Sequence, residues 1–125
     1  MKTQTDTPGN HENQTVSLNI AIVGGGRTCR FFLELITNDP VPFFDIKILG
    51  VCDKNDSAEG IVLAREMGIY TTDKLHDLLN IHHLHSVLEL TGSREVLLEI
   101  IRLKPEGVGV LEYNISRILR NLLNT

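Results

Sequence analysis

The run Leu18-Asn19-Ile20-Ala21-Ile22-Val23-Gly24-Gly25-Gly26-Arg27-Thr28-Cys29-Arg30 is a short apolar stretch that ends in three glycines and continues with helical spacing. Its order reads as a buried parallel strand, a tight turn and a helix start. In such a turn Gly24 allows the sharp reversal and Gly26 lets the backbone approach phosphate oxygens. The unbonded N–H groups of the following helix start then face the anion. The spacing is that of the dinucleotide turn G-x-G-x-x-G/A, with Gly25 as the first variable position. Cys29 stands third, where Gly or Ala is usual, so the match is partial.

Outward from this turn the chain alternates strand and helix patterns. The first strand is read as Leu18 to Val23, and the first helix as about Gly26 to Thr37, burying Phe31, Phe32, Leu35 and Ile36. Pro40 and Pro42 end that helix, and Phe43 and Phe44 are read as cover for the sheet edge or as a contact surface. A second strand spans Asp45 to Cys52. Strict alternation places Ile46, Ile48, Gly50 and Cys52 on one face, and Leu49 and Val51 on the other. A helix at Ser57 to Met67 stops at Gly68, and a very short strand follows at Ile69 and Tyr70. Thr72 or Asp73 caps a short helix through Leu79. Ser86 to Thr91, Ser93 to Lys104 and Val108 to Glu112 read as strand, helix and strand. A last helix from Asn114 to Leu123 carries Ile115, Ile118, Leu119 and Leu122 on one stripe.

Five strands separated by helices predict an α/β fold with a doubly wound parallel sheet between two helical layers. Right-handed crossovers predict the order 3-2-1-4-5. Residues 1–17 are polar and aperiodic and read as a disordered leader, leaving 18–125 as a single domain.

The chain has 125 residues, 42% of them hydrophobic and 22% charged, as in ordinary soluble domains. A formal net charge of −4 and the absence of any Lys/Arg cluster argue against a nucleic-acid partner. No apolar run is long enough for a bilayer and no signal-peptide pattern opens the chain, so no membrane association and a cytoplasmic location are expected. Asn13-Gln14-Thr15 has sequon form but carries no meaning without secretion. The two cysteines are read as reduced thiols rather than a disulfide framework.

Asp53, 29 positions after Gly24, ends the second strand. A carboxylate there can accept both hydroxyl hydrogens of an adenosine ribose and would repel a 2′-phosphate. The alternative is a turn aspartate, since Asp53-Lys54-Asn55-Asp56 is turn-rich. Arg27 and Thr28 would flank the phosphates. Lys54 and Arg27 could instead receive an extra phosphate, so NADP stays open beside NAD. Thr91-Gly92-Ser93 closes the fourth strand on the same carboxyl-end rim, with Ser93 as a helix cap. Glu89, inside an apolar strand, needs a buried Arg or a backbone donor, or else reaches the cleft. His82, His83 and His85, with His76 nearby, invite a metal reading. The topology sets them at the opposite edge of the sheet, and solvated loop histidines are expected instead. A thiol at Cys29, in the first turn of a helix, has its pKa lowered by that position, which makes redox sensing conceivable. Packing is the usual fate of such cysteines and is the role expected.

From Ile20 to Glu112 the chain resembles the nucleotide-binding domain of the glucose-fructose oxidoreductase/inositol dehydrogenase family and related homoserine dehydrogenase-like Rossmann domains. The resemblance rests on Ile22 to Gly26, Gly50 to Asp53, Ala64 to Ile69 and Leu88 to Gly92. A closer resemblance, on Gly24 to Cys29, Glu89 to Gly92 and Arg102 to Pro105, is to a Rossmann-like domain found ahead of sensory and histidine-kinase modules in bacterial signalling proteins. The oxidoreductase family carries Glu-Lys-Pro after strand 5, whose lysine assists hydride transfer. This chain has Glu112-Tyr113-Asn114 there, and lacks the large substrate domain with its catalytic histidine. The resemblance implies a Rossmann-like nucleotide cleft and no catalytic residue. The expected role is a non-catalytic NAD-binding sensory or regulatory domain, with a homodimer or a downstream signalling module met through the last helix. The alternatives are an oxidoreductase nucleotide-binding domain without its substrate domain, and a ligand-free interaction module in which Cys29 closes the cleft.

Overall fold

The sheet forms in the order β3-β2-β1-β4-β5, every neighbouring pair parallel, in the computed structural model, which describes residues 16–38 and 44–112. The elements are β1 (Val16–Val23), α1 (Arg27–Asn38), β2 (Phe44–Cys52), α2 (Glu59–Glu66), β3 (Tyr70–Thr72), α3 (Leu75–Leu79), β4 (Ser86–Glu89), α4 (Arg94–Leu103) and β5 (Gly109–Leu111). The expected order of strands is therefore the observed one. The expected last helix, most of the leader and the Pro40–Phe43 connection lie outside the described residues. β1 begins at Val16, two residues earlier than the sequence suggests.

Two apolar layers flank the sheet. One joins Ile20, Ile22 and Leu88 to Cys29 and Leu33 of α1 and to Ile61 and Ala64 of α2. The other joins Ala21, Val23 and Val87 to Leu78 and Leu79 of α3 and to Ile100 of α4. This split follows from right-handed crossovers. The chain winds one way from β1 to β3 and the other way from β3 to β5, so the helices fall on opposite faces.

Three local expectations are corrected. In α1 the buried residues are Cys29 and Leu33, while Phe31 and Leu35 stay 36% and 38% exposed, because α1 packs along a narrow stripe. The short helix α3 has Lys74 as its N-cap without a side-chain bond. Thr72 instead accepts the Lys74 N–H at 3.1 Å in the preceding turn. Strict alternation fails in β2. Ile20 of β1 pairs with Ile48 but Ala21 pairs with Gly50, leaving Leu49 as an extra residue. A one-residue slip exchanges faces. Ile46, Ile48 and Val51 therefore meet α1 and α2, whereas Leu49 and Cys52 join the α3/α4 layer. Gly50 also faces that layer, since a Cβ there would lie 2.9 Å from both Leu78 and Ile81.

Candidate functional site: the glycine turn and its rim

β1 ends against Gly24, whose φ of +107° is open to glycine and strained for other residues. Its N–H donates to the Cys52 carbonyl at 2.9 Å, which ties the turn to the end of β2. A Cβ on Gly24 would lie 3.0 Å from Thr91, so the turn is also pressed against the connection after β4. Gly25 lies under α2, where a Cβ would meet Ile61 at 2.6 Å and Asp53 at 3.2 Å. Gly26 is different, for nothing lies within 4 Å of where its Cβ would be. That open face, beside the start of α1, is where a ligand phosphate can approach.

The first bond of the helix runs from Arg30 N–H to the Gly26 carbonyl at 3.0 Å. The amides of Arg27, Thr28 and Cys29 thus belong to the first turn, which has no carbonyl a turn earlier to accept them. Together with the helix dipole they favour an anion at this end. Thr28 is half-buried at this start, and Arg27 extends into solvent.

Asp53 stands at the tip of β2. Its Oδ2 accepts the Gly25 N–H at 2.7 Å and its Oδ1 accepts the Asn55 N–H at 2.8 Å. The turn-aspartate role is thus real, and the same carboxylate also braces the glycine turn. The β2 bulge accounts for the aim. With Val51 on the α1/α2 side, the next alternation returns Asp53 to that side, beside Gly25. A carboxylate offers about four lone-pair directions, and two amide bonds leave room for ribose hydroxyls. Lys54 is exposed beside it.

The third wall is the β4–α4 connection. Glu89 is 1% exposed, and its Oε2 accepts the N–H groups of Thr91 at 2.7 Å and Gly92 at 3.0 Å, and also the Thr91 hydroxyl. The buried carboxylate therefore meets backbone donors and shapes the rim from beneath. Ser93 accepts the Val96 N–H at 3.2 Å and caps α4. Gly24, Gly25, Gly26, Arg27, Thr28, Asp53, Lys54, Thr91, Gly92 and Ser93 all lie at the carboxyl ends of β1, β2 and β4, on the rim where the strand order reverses.

Sequence reading missed Gly60. A Cβ on Gly60 would lie 2.7 Å from the Cβ and Sγ of Cys29 and 2.7 Å from the Gly25 carbonyl oxygen. Cys29 is fully buried between α1 and α2. It neither closes the cleft nor reaches it, because Gly60 supplies the room that a third small residue in the fingerprint would have left. The signal was present as a glycine in the first turn of the predicted Ser57–Met67 helix, but its meaning needs the partner helix.

Cys29 takes the packing role expected of it rather than the redox one. Burial, helped by the negative charge of Asp53, pushes its thiol up to about 12. Burial also pushes Cys52 up to about 11, with Asp53, Asp73 and Asp77 adding to the effect. The two cysteines lie in opposite apolar layers and form no disulfide. Both thiols should resist alkylation by iodoacetamide at pH 8 in the folded protein and react fully in denaturant. Rapid labelling of native Cys29 would refute that placement. The raised values also set a sign for stability. Unfolded thiols ionise near 9.0, while the folded ones hold their protons to about 11 and 12. The thiol contribution is therefore complete below pH 9 and is lost as pH rises towards 12. An alkaline denaturation series with Cys29→Ala as reference measures it.

The histidines lie at the other end of the sheet. His85 Nδ1 accepts the Asn19 N–H at 2.8 Å, and the His83 carbonyl accepts the Asn19 side-chain amide at 2.8 Å. His82 and His83 border a groove of about 310 Å³ with Asn80, Pro105 and Glu106. Among the described residues no three metal-ligating side chains converge. No helix among them is long and apolar enough to cross a membrane.

No family model matches the chain, and no curated protein matches it. Solved structures do. GenD2 from gentamicin A biosynthesis, solved in complex with NAD, aligns with a TM-score of 0.62 at 24% identity over 80% of this chain. Homoserine dehydrogenase of S. aureus aligns with a TM-score of 0.58 at 18% identity over 87% of this chain, and in another crystal with 0.56 at 17% over 79%. This chain spans 26–30% of the length of those proteins. At such identities the likeness establishes the fold, which is a Rossmann-type α/β domain of the kind these proteins contain.

Proposed function

We propose that this chain is a dinucleotide-binding domain of the oxidoreductase type, with NAD as its ligand. The carrying observation is the Asp53 carboxylate, held 2.7 Å from the Gly25 amide beside the open face of Gly26. This reading takes the two as a ribose acceptor and a phosphate approach, side by side at the switch point of the sheet. In this reading the amides at the start of α1 hold the pyrophosphate, with Arg27 and Thr28 flanking it. Asp53 accepts from the adenosine ribose and disfavours a 2′-phosphate. Lys54 borders that ribose, and Thr91, Gly92 and Ser93 border the nicotinamide half. The group supplies hydride chemistry when bound, and no described residue is assigned a catalytic role. The solved neighbours support this oxidoreductase reading more than the sensory one. Burial of Cys29 in the core removes the main support for a ligand-free module.

Calorimetric titration with NAD, NADH, NADP, NADPH and ATP tests the proposal. An NAD form should bind with Kd below about 100 μM, and Asp53→Ala should weaken it at least tenfold, or about 1.4 kcal/mol. NADP forms should bind more weakly. Absence of binding by any of the five at millimolar concentration would overturn the reading.

A further inference from the structure

We infer that Glu59 sets the phosphate affinity of the glycine turn by holding Arg27 away from it, and that a diphosphate draws Arg27 off Glu59. The inference rests on the dinucleotide reading and extends it to a residue outside the fingerprint. Glu59 is the first residue of α2. The Ile61 N–H donates to the Gly25 carbonyl at 3.0 Å, and Gly60 abuts that same oxygen. The start of α2 is thereby fixed to the glycine turn, and the Glu59 charge is fixed with it.

Two arginines share that carboxylate unequally. Arg30 Nη1–H donates to Glu59 Oε1 at 3.1 Å and also bonds Glu34 through Nε at 3.3 Å. Arg27 Nε stands 3.7 Å from Glu59 Oε2, beyond hydrogen-bond length, with its side chain 90% exposed. Exposed pairs of this kind are weak, so Arg27 can leave at little cost. Arg27 directly follows Gly26, whose own Cβ position is open, and is the first residue of α1. A diphosphate arriving there offers two charged groups and bidentate geometry, which suit a guanidinium better than one shared carboxylate oxygen does. Direct repulsion between Glu59 and the same anion is damped by solvent across the water-exposed gap. Its role is positioning, exerted through Arg27.

The test uses the full chain, titrated with NAD and separately with inorganic pyrophosphate at low and moderate salt. Glu59→Gln should tighten both ligands by about threefold to fivefold at low salt, the most that releasing an exposed pair supplies, with the gain shrinking as salt rises. Arg27→Gln should weaken both, and in that background Glu59→Gln should change affinity by less than about twofold. Glu59→Asp should restore values near the original. If the original chain binds NAD and Glu59→Gln leaves the affinity unchanged or lower, this inference fails while the dinucleotide reading stands. An equal gain in the Arg27→Gln background would show direct repulsion and overturn the role through Arg27. If the original chain binds neither ligand, both fail. A loss of helix stability alone would lower the melting temperature of Glu59→Gln without tightening pyrophosphate. That result also counts against the inference.

Discussion

Gly60→Ala should destabilise the domain by about 3 kcal/mol, although glycine to alanine in an ordinary helix favours folding by up to about 1 kcal/mol. The reversal comes from what the added methyl would meet. Its carbon would lie 2.7 Å from the Cβ and Sγ of Cys29, and 2.7 Å from the Gly25 carbonyl oxygen. The sulfur could turn only into a fully packed layer, since Cys29, Leu33, Ile61 and Ala64 are at most 1% exposed. The carbonyl cannot retreat without losing the Ile61 N–H bond or moving the glycine turn. Relief must therefore come from sliding α2 away from α1, which loosens the layer over Ile22 and Val51. Urea denaturation gives the number. Cys29→Ala in the same chain removes the sulfur contact but leaves its Cβ, so it should recover part of the loss and show coupling in a double-mutant cycle. A Gly60→Ala protein as stable as the original would mean that α1 and α2 are not packed this closely.

That contact shows where the sequence was legible and where it was not. Strand order followed from local patterns and one chirality rule. The Gly24 turn, the tip position of Asp53 and the Thr91–Ser93 rim followed from it, because each needs only its own segment and the topology. The Cys29–Gly60 contact joins residues on different helices, and neither half alone shows it. Cys29 suggested a spoiled fingerprint, and Gly60 stood inside a helix pattern with no reading attached to it. The bulge at Leu49 was hidden for another reason. Ile46 to Cys52 is apolar apart from Lys47 and Gly50, so no polar alternation marks the slip. Yet that slip is what returns Asp53 to the side of Gly25. Phe31 and Leu35 were misjudged because helical spacing gives a stripe but not its width. The width is set by how far α2 reaches across α1, which only the packed pair determines.

Glu89→Ala should cost about 2–4 kcal/mol, and Glu89→Gln about 1 kcal/mol. The side chain sits at the end of a strand flanked by β1 and β5, and its Oε2 gathers the Thr91 amide, the Thr91 hydroxyl and the Gly92 amide. Gly92 holds a φ of +73°, so the connection turns sharply around that oxygen. Alanine removes the acceptor and leaves a void beneath the turn. Water reaches Thr91 and Gly92 from outside, which keeps the loss below that of three fully buried donors. Glutamine keeps an oxygen of the same reach for Thr91 and Gly92, and those bonds lose their charge assistance. The effect should extend to ligand binding, because Thr91 is what Gly24 leans on, 3.0 Å from where its Cβ would be. Once the turn after β4 relaxes, the glycine turn loses one of its three walls while Asp53 still holds the second. NAD affinity should therefore fall in Glu89→Ala even at temperatures where the domain remains folded, and should largely survive in Glu89→Gln. If the two variants lose equal stability, the carboxylate acts through its charge rather than as the acceptor around which the rim is built.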